Sequence, residues 1–306
     1  MKTFFNLLTV LIGYAGQMQY ACAQEYLNPV KNLSVTLTAD TLYFKDLDSN
    51  RLVLSTAIKK GSASHYLKFS PSGNFMVTSG DGPLTSIYSI GRNEVKLISS
   101  VPVQTGESVF DGMENTLFLL QTTSAGKKNI SSYTINPWKK LATAVIPSGA
   151  HGLTINASGR LIAFGDDTNI HTRHSSGLMN DKVFWKGQPQ RLLAFNPAVE
   201  NQLAGVNTAN HIQIFDVQKD SMLMEINKHM SEISWIGFDP SGKLLSSLDQ
   251  EGYLFTWLPS KKQCIAELEG LGGIPIFGPD GTLNISSKSA DVIPGFIHRK
   301  KKILAP

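Results

Sequence analysis

A short motif recurs along this 306-residue chain at a nearly constant interval: a bulky apolar residue that runs into a polar turn. The copies read FSPSGN from Phe69, FDGMEN from Phe110, INASGR from Ile155, FNPAVEN from Phe195, FDPSGK from Phe238 and FGPDGT from Phe277. Their leading residues stand 41, 45, 40, 43 and 39 positions apart. Periods of this size belong to repeat architectures, in which one unit cannot bury its own apolar face and must lean on the next.

Each period divides into short strands broken by Gly, Pro, Asn and Asp, with no sustained helical periodicity. In the clearest copy the spacing predicts strands at Tyr66–Phe69, Phe75–Ser79, Ser86–Ile90 and Val95–Val101. Pro71 presets the first corner of its turn, and Gly73 can take the left-handed conformation that a side chain resists. One antiparallel four-stranded sheet per period closes radially into a β-propeller. The expected fold is therefore all-β, a seven-bladed β-propeller of four-stranded antiparallel blades, with six or eight blades left open. Six anchored copies account for six blades. Strands at 35–38, 41–45 and 51–55 supply most of a seventh, and its inner strand comes from Tyr26 to Lys31 or from the C-terminus. The last copy has candidate strands at 282–286, 292–297 and 303–306. The two termini are expected to meet in a shared closing blade, because closure removes exposed sheet edges.

Two stretches, HYLKFSPSGNFMVTSGDG from His65 and EISWIGFDPSGKLLSSLDQEGYLFTWL from Glu232, resemble WD40-type repeats, and HIQIFDV from His211 resembles the end of another. Phe215-Asp216 stands where that family carries Trp-Asp, and Thr256-Trp257 is a degenerate version. Most copies lack the terminal Asp, and the Gly-His opening survives only as His65 and, inverted, as His151-Gly152. The resemblance implies a family that mostly scaffolds interactions.

The N-terminus reads as a secretory signal over residues 1–23. Lys2 precedes an apolar run from Phe4 to Ala15, and Ala21-Cys22-Ala23 gives the small-x-small cleavage pattern. The run is short for a transmembrane helix, so no span is expected in the mature chain, residues 24–306, a single propeller domain in the periplasm or outside the cell. Lipid attachment at Cys22 is the lesser alternative. With Cys22 removed only Cys264 is left, which excludes an intrachain disulfide and a Cys-rich zinc site. The net charge of +4 is small, and its densest part is Arg299 to Lys302. So weak a bias argues against nucleic acid as a partner.

The chain carries no nucleophile elbow, HExxH helix or phosphate-cradling glycine loop. His171 and His174 invite a metal reading, but residues three apart on a strand point to opposite faces. Asp81-Gly82, Asp166-Asp167 and Asp249 to Gly252 read as hairpin turns. No metal or cofactor is expected. The candidate site is positional: His65, Glu107, His151, Arg191 and Glu232 are read as lying just ahead of successive inner strands, where in a propeller they open on one face around the channel. Such a ring suits a protein or peptide partner, with Trp138 or Trp185 as a possible aromatic anchor. The alternative is a propeller hydrolase or lactonase using the same polar residues for acid–base work. The first reading, a non-catalytic monomeric binding scaffold, is preferred.

Overall fold

The computed structural model describes residues 24–287, except 38–40, 47, 50, 58–63, 81, 83, 92–93 and 124, together with 301–302. These residues are all-β: six four-stranded antiparallel sheets and a seventh of three strands, with two short 3-10 turns and no α-helix among them. The sheets cover residues 24–57, 64–101, 104–146, 151–186, 190–226, 233–268 and 271–302, and in each the strands lie in chain order. Among the described residues no helix is long and apolar enough to cross a membrane.

The four strands of a sheet differ in burial, and the sequence explains why. Second and third strands are covered on both faces, as in Leu245–Asp249 and Leu254–Leu258, so they read as continuous runs of apolar and small residues. Hydroxyls within such runs can pair with one another, as Ser246 does with Thr256 at 2.9 Å. Fourth strands alternate between exposed and half-buried, as in Leu52–Ala57 and Lys139–Ile146.

Apolar clusters lie between sheets. Val35 and Phe44 of the first meet Leu67 and Met76 of the second. Val77 and Ile87 of the second meet Leu117 and Tyr133 of the third. The same joint recurs from third to fourth, fourth to fifth, fifth to sixth and sixth to seventh. The strand Gln24–Leu27 packs against Leu271–Phe277, so the seventh sheet also touches the first. Phe69, Phe110, Phe195 and Phe238 are buried in these joints, and Phe277 is half-buried in the last. Trp138 stacks on Tyr133 at 4.8 Å between ring centres and Trp185 packs on Phe215 at 5.1 Å, so both indoles belong to this packing.

One expectation about the ends is corrected. The first sheet takes all four strands from the N-terminal segment, with Gln24–Leu27 as its first, so the closing sheet is not shared between the termini. The third strand of the seventh sheet lies at Lys301–Lys302, paired with Thr282 and Leu283. The candidates at 292–297 and 303–306 lie outside the described residues, as does the signal segment 1–23. A seventh copy of the motif is present as Leu27-Asn28-Pro29-Val30-Lys31-Asn32, close in sequence to the copy at Phe195.

In most copies the residue after the leading apolar one organises the turn. The side-chain oxygens of Asn28, Asn156, Asn196 and Asp239 accept backbone N–H groups of their own turns, from Lys31 at 2.8 Å, Leu161 at 2.9 Å, Ala198 at 2.9 Å and Leu244 at 2.7 Å. Asn and Asp favour such places because their short side chains reach the nearby backbone and mimic a carbonyl. The amide of Asn28 also donates to Gly73 O at 3.0 Å, and that of Asn196 to Gly242 O at 2.8 Å, each on the next sheet. Both glycines have positive φ, +68° and +69°.

Candidate functional site

Six of the first strands carry a bulge at the same place. In the second, fifth and sixth sheets the extra residues are His65, Arg191 and Ser234, and in the third it is Gly106. In the fourth, Gly152 and Leu153 together oppose one residue. In the seventh, Gly273, Ile274 and Pro275 do. A bulge withdraws backbone groups from the ladder and re-aims the side chains beside it, and in this protein both effects are used.

Glu107 shows the first. Its two carboxylate oxygens accept the N–H groups of Gly152 at 2.8 Å and Leu153 at 2.5 Å, the two donors that the fourth sheet's bulge sets free. His151 places Nδ1 2.6 Å from Gly149 O and Nε2 2.7 Å from Gln190 O on the fifth sheet. Arg191 donates to Glu232 ahead of the sixth sheet and to Asn210 Oδ1 at 3.0 Å. Glu232 also accepts from Gln250 Nε2 at 3.1 Å. Of the five ring residues, Glu107, His151, Arg191 and Glu232 are therefore joined across consecutive sheet boundaries, third to fourth, fourth to fifth and fifth to sixth. Only Arg191 and Glu232 contact one another. His65 lies in the strand Ser64–Phe69, and its side chain is outside the described residues.

The first strands surround a cavity of about 480 Å³, and of the ring residues only Glu107 lines it. Its walls are mostly apolar: Tyr66, Leu153, Trp235, Ile274 and Pro275 stand around Lys68. The seventh sheet's bulge delivers Ile274 and Pro275 to that wall. Trp235 lies over Gly237, where a Cβ would sit 2.7 Å from the indole, so glycine makes room for the ring. The Tyr66 hydroxyl is held by Ser108, whose N–H donates to it at 2.8 Å. Lys68 lines the cavity and is open to its solvent. Partial desolvation by the protein around it lowers its pKa, and the nearby Glu107 carboxylate opposes the drop.

Sequence reasoning placed the ring ahead of the strands, but His65, Glu107, His151 and Arg191 lie within them and only Glu232 precedes its strand; it also passed over Lys68 and Trp235. The available signal was the alternation along 66–69 and 235–238, which turns one face of each strand away from its neighbours.

A second polar group was also missed. His229 Nδ1 lies 2.9 Å from Asp249 Oδ2, His229 Nε2 lies 2.7 Å from Ser247 Oγ, and Trp257 Nε1 donates to the same Oγ at 3.1 Å. The order Ser–His–Asp is that of a hydrolase triad, yet His229 and Asp249 side chains are 1% and 2% exposed and Ser247 is wholly buried. With Ser247 accepting the indole N–H and donating to the imidazole, every polar atom of the chain has a partner, which is the signature of a structural network. On the fourth sheet His171 is buried between Asp166 at 2.7 Å and Asp181 at 3.3 Å, while His174 is exposed on the other face, as the strand period requires. Among the described residues no group of three or more His, Cys, Asp or Glu side chains is placed to hold a metal ion.

No family model matches this chain, and a search of curated proteins finds no match to it.

Proposed function

We propose that this chain is a secreted or periplasmic WD40-like β-propeller of seven blades, a non-catalytic scaffold that binds another protein or a peptide on the rim around its cavity. The cycle of joints, from the first sheet through the seventh and back, supports the propeller reading, since equivalent sheets around a common axis touch in that order. The signal-like segment at 1–23 supports export.

One observation carries the preference for binding over catalysis. Glu107, His151, Arg191 and Glu232 are each engaged in ties between sheets. General acid–base work needs a pair of groups poised on one substrate, and these four are directed at three different boundaries, with only Arg191 and Glu232 sharing one. What they produce is a stiff polar rim. Beside it Met230, 96% exposed in the loop before the sixth sheet, offers an adaptable apolar contact.

The test is capture from the native envelope or secretome with the purified mature protein as bait. A reproducible partner that is lost with Met230→Glu, in a variant that melts like wild type, supports the proposal. Absence of any reproducible partner, or turnover of ester or lactone substrates, overturns it.

A further inference from the structure

The cavity itself has a chemistry that a protein partner on the rim does not explain. Lys68 is the only cationic side chain among its lining residues, and it makes no hydrogen bond among the described residues. Its neighbours are committed elsewhere: Glu107 holds two amide donors, and Tyr66 and Ser108 hold one another. Lys68 is open to the solvent of the cavity, and its ammonium faces Trp235, Leu153, Ile274 and Pro275 with three donors that no protein acceptor occupies among the described residues, so an anionic group entering the cavity would find them available. The volume of about 480 Å³ suits a small organic molecule and excludes a folded domain.

We propose that the cavity binds a small amphipathic carboxylate, with the acid on Lys68 and an aromatic or aliphatic body against Trp235, Leu153 and the Ile274–Pro275 bulge. The apolar wall sets the body of the ligand and the lone cation sets its charge. The site goes beyond the rim function: it requires the cavity but no protein partner, so either can fail without the other.

The probe is 2-naphthoate, compared by titration calorimetry with 2-naphthamide and 2-naphthylmethylammonium, which keep the body and change the head. The expected result is 1:1 binding of 2-naphthoate, at least about tenfold tighter than the amide, since charge-assisted hydrogen bonds exceed neutral ones by about that factor. The ammonium compound is expected not to bind. Lys68→Met should abolish the preference for the acid while leaving amide binding, and Trp235→Ala should weaken both. Affinity should also fall as pH rises and Lys68 loses its proton, the ammonium doing so below the ordinary lysine range. Equal affinity for acid and amide in the wild type overturns the proposal, as does no binding of 2-naphthoate. The head-group comparison needs no variant, so it decides the question even if Lys68→Met does not fold.

Discussion

His229 Nδ1 lies 2.9 Å from Asp249 Oδ2 at a point where neither side chain is more than 2% exposed. The other carboxylate oxygen, Oδ1, accepts the N–H groups of Glu251 at 3.1 Å and Tyr253 at 2.9 Å, so His229 is the partner of Oδ2 alone. His229→Ala is expected to lower unfolding free energy by about 1–3 kcal/mol, the usual cost of a buried polar atom left unsatisfied, as read by urea denaturation.

The same histidine gives a pH dependence of known sign. Burial lowers its pKa below the ordinary 6.5, and Asp249 opposes the drop without cancelling it. Below 6.5 the unfolded chain takes up a proton that the folded chain resists. This group's contribution to stability is therefore complete above that pH and declines as pH falls through it. Denaturation midpoints at pH 7.5 and 5.5 should differ more in wild type than in His229→Gln.

Asp166 works in the acid range. Burial alone would raise its pKa, but hydrogen bonds from Thr168 N–H, His171, Asn169 N–H and the Thr168 hydroxyl outweigh it and bring the value to about 2. The stabilisation is present above the unfolded value of 3.8 and is lost as pH falls toward about 2. Asp166→Asn should be less stable than wild type at pH 5, and the gap should close by pH 2.

Glu107→Gln replaces one of two accepting oxygens with an NH₂ group facing an N–H donor. The loss should be about 1–3 kcal/mol, the usual cost of an unsatisfied buried donor. Hydrogen exchange at Gly152 and Leu153 should quicken in the variant.

Gly242→Ala combines two penalties. The backbone has φ +69°, and a Cβ would meet Asn196 Oδ1 at 2.0 Å and Ala198 Cβ at 2.9 Å. Gly126→Ala, at φ +75° with open space around it, meets only the first. Backbone strain alone costs about 1–2 kcal/mol, so Gly242→Ala should exceed Gly126→Ala in denaturant melts, and the difference measures the Asn196 contact.

Much of the fold was legible because the turn is specified locally. Pro71-Ser72-Gly73 and Pro240-Ser241-Gly242 encode their corners through fixed φ and a left-handed glycine, and the leading phenylalanines mark where the sheets meet. The copy at Leu27 was harder to see, because its leading residue is smaller and its turn, like the one after Phe195, has no glycine. The candidate site was less legible for a different reason. Whether Glu107 faces a ligand or a neighbouring sheet is decided by the bulge at Gly152-Leu153, and a bulge is a pairing register between distant segments that no local pattern writes down. The His229 network was hidden likewise: its members lie between 229 and 257, each ordinary alone, and only the hairpin brings them within reach.

Gly278 occupies the place where Asn28 and Asn196 extend an amide to the adjoining turn, and it has no side chain with which to do so. The joint between the last sheet and the first rests instead on the backbone contact of Gln24–Leu27 with Leu271–Phe277. Gly278→Asn would therefore supply that boundary with the kind of amide that Asn28 and Asn196 lend to theirs.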